Sequence, residues 1–131
     1  MADDGSQAGL TQIPLTIHSA SGVHRFTVEV AATPQQQERG LMFRRSLAPD
    51  HGMIFPYNPP QPVGFWMRNT LIPLDMVFIR ADGRIARVAT AKPLDETVVQ
   101  SGEPIVLVLE IPGGRAAQLG IMAGDRAVWR H

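Results

Sequence analysis

The sequence predicts a mainly β domain of the α+β class: a single small twisted antiparallel sheet, or a partly closed barrel, of about seven strands with two short helices. Apolar and polar residues alternate within short segments, and turn residues separate these segments at short intervals. The chain has 131 residues, which is the usual size of one domain. We expect a disordered tail over residues 1–12 and a single β-rich domain over residues 13–131.

The N-terminal part is predicted to form two strands and a short helix. Alternation of apolar and polar residues indicates strands over residues 15–17 and 26–30. Residues 33–36 have the sequence TPQQ, in which threonine can cap a helix, proline fits its first position and the second glutamine completes a capping box. The helix should end near Met42.

Residues 44–62 are rich in proline and turn residues, and only residues 52–55 resemble a strand. A segment of this kind usually carries a site or covers an edge of the core. We expect the proline-rich part, residues 57–62, to form a loop that covers a pocket or forms its wall.

The C-terminal half is predicted to contain most of the sheet. Strands are expected over five further segments: residues 63–67, 74–80, 84–90, 105–111 and 126–129. Residues 105–111 are the most apolar and should therefore be central. Asp82-Gly83 forms a hairpin turn, residues 91–104 should form a loop, and residues 115–119 a short helix that ends at Gly120.

Composition excludes several classes of function. Twelve basic and twelve acidic residues cancel, which argues against nonspecific binding to nucleic acid. The absence of cysteine excludes disulfides, thiolate nucleophiles and cysteine-based metal sites. No apolar segment approaches the ~20 residues of a membrane helix, so we expect a globular domain that does not span a membrane. We also expect a monomer.

Residues 65–75 hold the densest chemistry in the chain, because a tryptophan, an arginine, an amide, a hydroxyl and a carboxylate lie within one short segment. Large apolar residues interleaved with a few polar ones are typical of a binding pocket. Phe65 and Trp66 are neighbours in a predicted strand and should face opposite sides. The residues predicted to bind a ligand are Trp66, Arg68, Asn69, Thr70, Asp75, Glu38, Arg39, Met42 and Arg44.

No catalytic signature accompanies this cluster. The four histidines lack the spacing of a metal site, and there is no Gly-x-Ser-x-Gly motif, so we expect no metal and no cofactor and cannot assign catalytic residues. A pair of carboxylates across one cleft is the remaining route to acid–base chemistry. The candidates for such a pair are Glu38, Asp75, Asp95, Glu96 and Glu110.

Four ordered motifs resemble the domain of unknown function 192 family. These are residues 38–44, residues 52–55, residues 65–70 with 73–75, and residues 109–111 ahead of Gly113. The resemblance extends from about Phe26 to Trp129, and Arg68 stands where lysine is more often expected. It implies a small β-rich domain, often found behind a signal peptide or a lipoprotein anchor, and it implies no reaction.

Three functions stay open. The first is a noncatalytic binding or accessory module that holds a small molecule or a peptide in a cleft with Trp66 at its floor and Arg68, Asn69 and Asp75 at its rim. The second is a hydrolase or lyase acting on a carbohydrate or cell-wall fragment through Glu38 and Asp75, and the third is a purely structural role for the motifs. We expect a periplasmic or exported protein whose signal peptide has been removed, with a cytoplasmic protein as the alternative.

Overall fold

The computed structural model describes residues 4–131. Of the tail predicted over residues 1–12, residues 1–3 lie outside the described residues. The elements are β1 (Gln12–Ser19), β2 (Gly22–Val30), α1 (Pro34–Arg39), β3 (His51–Gln61), β4 (Gly64–Phe65), β5 (Leu74–Ile79), β6 (Ile85–Ala91), β7 (Val99–Gln100), β8 (Ile105–Pro112), α2 (Arg115–Leu119) and β9 (Arg126–Trp129).

The capping box predicted for α1 is present. The hydroxyl of Thr33 accepts a hydrogen bond from the backbone N–H of Gln36, and the Gln36 side chain accepts one from the backbone N–H of Thr33. The helix ends at Arg39, earlier than predicted, because Gly40 leaves the helical region with φ of 49°. Glycine reaches this conformation without the steric penalty of a Cβ.

Seven strands form one sheet in the order β6-β5-β8-β3-β2-β1-β9, while β4 and β7 form a small second sheet. The prediction of a mainly β fold with two short helices is confirmed. The predicted antiparallel sheet is wrong for one pair, since β2 and β3 run parallel. The chain crosses from the end of β2 to the start of β3 through α1 and the following turns, and such a crossover brings the next strand in parallel.

One of the two predicted forms was a partly closed barrel. The sheet does not close into a barrel. Its edge elements meet at one point, where Arg84, just before β6, forms a bridge with Arg126 of β9. In the described part of the chain no ladder joins β6 to β9 beyond this bridge. The two edges therefore approach each other at one end and are separate elsewhere.

Two segment predictions need correction. Residues 57–62 were expected to form a loop, but most of them belong to β3, whose register with β8 shifts between Pro56 and Gln61. Residues 91–104 were also expected to form a loop, yet β7 lies within them and pairs with β4. Each of these segments has only a weak strand propensity of its own. Pairing with a strand that is distant in the sequence holds it in an extended conformation.

Successive side chains of a strand point to opposite sides of the sheet. Each side carries its own cluster of buried apolar residues. One face, here called the first face, carries Val77 of β5 and Leu109 of β8 and packs against Ala116 of α2. The opposite or second face carries Met53 and Met76 and packs against Leu41 and Met67. Strand β8 lies between β5 and β3, which confirms that it is central.

Candidate functional site

Two loops on the second face form the walls of the candidate site. One follows α1, and the other joins β4 to β5. They are linked by a backbone hydrogen bond of 2.8 Å from the Phe43 N–H to the Asn69 carbonyl, and the Asn69 side-chain amide lies 4.0 Å from the Met42 sulfur. Phe43 and Asn69 both have positive φ, 67° and 55°. Such a conformation is rare for phenylalanine and is found mainly where the surrounding structure imposes it.

Between these loops lies an open cleft of about 460 Å³, here called the arginine cleft. It brings together six of the nine residues that the sequence predicted to bind a ligand, together with Gln35. The residues that line it are Gln35, Glu38, Arg39, Met42, Trp66, Arg68 and Asn69.

The two arginines of this cleft each lie over an aromatic ring. The guanidinium carbon of Arg68 is 5.4 Å from the centre of the Trp66 ring, and that of Arg39 is 5.5 Å from the centre of the Phe43 ring. Within residues 4–131, ion pairs occupy other arginines, and no carboxylate pairs with these two. Stacking on a ring orients a guanidinium while it leaves its N–H groups available to a ligand.

Phe65 and Trp66 have different environments, as predicted, although the strand expected over residues 63–67 is shorter and β4 ends at Phe65. The Phe65 ring packs edge-on against Phe55, with ring centres 5.0 Å apart, and it contacts the buried cluster of the second face. Trp66 is 43% exposed and lines the arginine cleft. Phe65 therefore contributes to the core, and Trp66 provides an aromatic surface to solvent.

A smaller cavity of about 260 Å³, here called the Glu110 cavity, adjoins the arginine cleft. The two share Glu38, Arg39, Met42 and Trp66 as lining residues. The residues that line only the smaller cavity are Gln37, Gly40, Leu41, Phe55, Tyr57, Gly64, Phe65, Thr70 and Glu110.

Glu110 is 4% exposed and lies at the centre of the sheet, opposite Met53 on one neighbouring strand and Met76 on the other. No residue of the described chain donates a hydrogen bond to its carboxyl group. Burial raises the pKa of Glu110 to about 8, because an apolar environment disfavours the charged form. Glu110 is therefore mostly protonated at neutral pH.

Tyr57 lines the same cavity. Burial, and to a smaller extent the charge of Glu110, raise the pKa of Tyr57 to about 12. The phenol is therefore neutral under all physiological conditions. It contributes a hydroxyl and an aromatic ring to the wall of the cavity.

Three of the predicted site residues lie elsewhere. Thr70 is buried, donates a hydrogen bond to the Arg68 carbonyl and lines the Glu110 cavity. Arg44 forms a paired, partly buried contact with Glu29. Asp75 was expected at the rim with Arg68, but it is 1% exposed and faces α2 on the opposite side of the sheet.

Asp75 acts as a cap for α2. Its carboxylate accepts hydrogen bonds from the backbone N–H groups of Gly114 at 3.0 Å and Ala116 at 2.9 Å, and from the Thr90 hydroxyl at 2.6 Å. The residue at the start of α2 is Gly114, which has no side chain to cap the helix. A carboxylate from a neighbouring strand supplies the missing acceptor for the free N–H groups of the first turn.

The sequence named Glu110 only as a candidate for acid–base chemistry and did not include it in the binding site. The signal that could have placed it was its position: a carboxylate stands within the most apolar strand of the chain. A charged residue in a central strand requires either a partner or a cavity. Tyr57 was not among the predicted ligand-binding residues, although residues 57–62 were expected to cover a pocket or form its wall.

Residues 4–131 contain no group of three or more histidine, cysteine or acidic side chains that could hold a metal ion. Within the same residues, no helix has the length and apolar character required to cross a membrane.

Comparison with known proteins identifies relatives over nearly the whole chain. The domain of unknown function 192 family, described as "Uncharacterized ACR", matches residues 15–129. A protein of unknown function from Novosphingobium aromaticivorans DSM 12444 is 48% identical, with a TM-score of 0.91 over 93% of this chain and 88% of that chain. A proposed transcription regulator from Sinorhizobium meliloti 1021 is 42% identical, with a TM-score of 0.90 over 95% of this chain and 98% of that chain. No curated protein matches.

Proposed function

The chain belongs to the domain of unknown function 192 family, and from this premise we propose that it is a noncatalytic binding module for a ligand that carries an anionic group. The ligand occupies the arginine cleft, where Trp66 provides an apolar surface and Arg39 and Arg68 bind the anion. Either a small molecule or an extended peptide segment with a carboxylate or phosphate group has this chemistry.

One observation carries the proposal: Arg39 and Arg68 lie in the same cleft, each over an aromatic ring, and within residues 4–131 neither has a carboxylate partner. Two oriented guanidinium groups beside an exposed tryptophan provide directed N–H donors and an apolar contact, which is the combination that small-ligand sites use.

The carboxylate pair of the second hypothesis has less support. Acid–base catalysis requires both groups in one cleft. Glu38 lines the arginine cleft, whereas Asp75 is buried on the opposite face and its oxygens accept three hydrogen bonds. We therefore do not assign Glu38 and Asp75 a joint catalytic role.

The regulatory role proposed for the Sinorhizobium meliloti relative is not extended to this chain. Nonspecific binding to DNA relies on an excess of basic residues, whereas here twelve basic and twelve acidic residues balance. As a separate proposal, we retain an extracytoplasmic location, which the family resemblance implies. Fractionation of cells that express the native gene tests it, and recovery in the cytoplasm contradicts it.

Fluorescence of Trp66 provides the test of binding. Straight-chain alkyl carboxylates and alkyl phosphates are titrated into the protein, and the expected result is a saturable change in emission. The chain has two tryptophans, so Trp66→Phe identifies the contribution of the second, Trp129. Arg39→Gln and Arg68→Gln should each weaken binding by about 10- to 150-fold, since each removes a charge-assisted hydrogen bond worth about 1.5–3 kcal/mol.

Arg80→Gln is the matched control, because Arg80 is also partly exposed but forms an ion pair with Glu103 outside both the cleft and the cavity. This variant should bind as the parent protein does. The proposal is contradicted if neither Arg39→Gln nor Arg68→Gln changes the affinity, or if Arg80→Gln weakens it equally.

A further inference from the structure

We infer that the Glu110 cavity is a subsite for a protonated amine, so that cavity and cleft together accept a ligand carrying both an ammonium group and an anionic group. This inference rests on the proposed function for the anionic part of the ligand. The ammonium subsite itself is carried by the geometry around Glu110.

Glu110 lacks a hydrogen-bond donor from the described part of the protein. A buried carboxyl group is almost always hydrogen-bonded, because leaving it without a partner costs several kcal/mol. Glu110 is 4% exposed and lines the cavity, and no side chain or backbone group of residues 4–131 donates a hydrogen bond to its carboxyl group. Arg115 Nε is the described side-chain atom that is sealed from solvent without a partner, so the Glu110 oxygens are open to the cavity. Asp75, the other buried aspartate or glutamate of the sheet, has three such bonds. A donor supplied by a ligand in the cavity would complete the coordination of Glu110.

The lining of the cavity favours a cationic donor. The other walls of the cavity include the aromatic side chains Phe55, Tyr57, Phe65 and Trp66. Aromatic rings stabilise a cation, and a carboxylate among them adds an opposite charge. Within the described chain no cluster of acidic or histidine side chains is present to hold a metal ion at this position. An ammonium group is the cation that a single carboxylate and aromatic walls can bind.

Few charged groups surround Glu110. The residues opposite it on the neighbouring strands are the uncharged Met53 and Met76. The titratable groups that line the cavity with it are Tyr57 from β3 and Glu38 and Arg39 from α1. Arg39 lines the cavity, but among residues 4–131 it forms no ion pair with Glu110. Burial raises the pKa of Glu110.

Proton linkage follows from this arrangement. With a pKa of about 8, Glu110 is mostly protonated in the empty protein at neutral pH. An ammonium ion binds to the carboxylate form, and binding therefore releases the proton. Affinity for the amine should rise as the pH rises towards 8, and it should level off above that value until the ligand amine itself loses its proton.

The test uses ω-aminoalkanoates of increasing chain length, together with the matching alkanoates and alkylamines. Calorimetry at pH 7 in two buffers of different ionisation enthalpy measures both affinity and proton release. We expect at least one aminoalkanoate to bind about tenfold more tightly than its alkanoate, with release of close to one proton. Glu110→Gln should remove both the additional affinity and the proton release, while it leaves binding of the alkanoate unchanged.

Two further variants identify the carboxyl group that releases its proton when the amine binds. Glu103→Gln removes an exposed carboxylate that is paired with Arg80, and it should behave as the parent protein does. Glu38→Gln removes the other carboxylate of the cavity lining. If Glu38→Gln abolishes the proton release and Glu110→Gln does not, the subsite is assigned to the wrong residue and the inference is overturned.

The remaining outcomes separate this inference from the proposed function. Equal affinities of alkanoates and aminoalkanoates, with no proton release, overturn the ammonium subsite and leave anion binding intact. Alkylamine binding that depends on Glu110, without any alkanoate binding, supports the subsite and contradicts the proposed function. If no compound of the series binds at pH 7 or 8, both are overturned. Glu110→Met, which matches the neighbouring Met53 and Met76, serves as a second folded variant should Glu110→Gln fail to fold.

Discussion

Asp75 and Glu110 are both buried carboxyl groups of one sheet, but their surroundings are opposite. Asp75 points to the first face, where two backbone N–H groups of α2 and the Thr90 hydroxyl surround it. Glu110 points to the second face, where methionines flank it and a cavity lies in front of it. A carboxylate that the protein itself satisfies serves the fold, whereas one left without a donor next to a cavity is suited to a ligand.

The contrast extends to the helices that cover the two faces. On the first face, Asp75 attaches α2 to the sheet through the helix N-terminus, where a negative charge is favourable. On the second face, the N-terminus of α1 is capped locally by Thr33 and Gln36, and the Gln37 side chain joins the helix to β3 by donating a hydrogen bond to the Pro56 carbonyl. The α1 side chains Glu38 and Arg39 line the cleft.

Substitution of Asp75 should have the largest effect on stability. Asp75→Ala leaves the N–H groups of Gly114 and Ala116 and the Thr90 hydroxyl without an acceptor, so we expect the free energy of unfolding to fall by about 3–6 kcal/mol. Urea unfolding measures this loss.

The matched control is Asp50→Ala, because Asp50 also binds α2, through Arg115, but at the exposed surface. It should cost less than about 1 kcal/mol. Equal losses for the two variants contradict a special role of Asp75.

Ionisation of Glu110 should have the next largest effect on stability, as a pH dependence of the free energy of unfolding. Its pKa is about 8 in the folded protein and near the ordinary value of 4.5 in the unfolded chain. Between these values the folded state binds more protons, so the free energy of unfolding should fall as pH rises from 4.5 to about 8, by several kcal/mol in total. Below 4.5 both states are protonated, and above about 8 neither is.

Urea unfolding of the parent protein and of Glu110→Gln across this pH range provides the measurement. The variant has no ionisable group at the position and should lose this part of the pH dependence. At pH 8 it should be more stable than the parent, because a buried amide replaces a buried charge. Identical pH profiles would mean that Glu110 is hydrated or paired in solution.

The smallest expected effect concerns Tyr57, the single tyrosine of the chain. Its phenolate absorbance should titrate with a pKa of about 12 in the parent protein. In Glu110→Gln the pKa should fall but remain above 10, because burial is the larger cause of the shift and the charge of Glu110 the smaller one. Circular dichroism at each pH confirms that the fold persists. A parent pKa near 10 would place Tyr57 in solvent and open the Glu110 cavity.

Features that depend on neighbouring residues were predictable from the sequence. The capping box of α1 involves only residues 33–36, and the hairpin turn between β5 and β6 is specified by Asp82-Gly83. The most apolar segment forms β8, an interior strand between β5 and β3. An interior strand that is covered on both faces of the sheet is apolar on both faces. The position of Trp66 outside the core followed from alternation with Phe65.

Features that depend on distant pairing were not predictable in the same way. The parallel alignment of β2 and β3 depends on the path taken between them, which no local pattern encodes. Asp75 was expected at the rim because it is close to Arg68 in the sequence, but the strand direction sends its side chain to the opposite face. Glu110 was recognised as a carboxylate of interest, but its cavity is formed by residues from α1, β3 and β4 that only the fold brings together.

The position of β1 has a consequence for the order in which the sheet assembles. β1 forms a local hairpin with β2 on one side, but on the other side its partner is β9, in a register where Leu15 lies opposite Trp129. This pairing joins segments from nearly opposite ends of the described chain. Closure of so long a loop is entropically unfavourable until other contacts have formed, and it slows folding. β9 should therefore be a late-docking strand, and until it docks the outer edge of β1 is available for pairing with another chain.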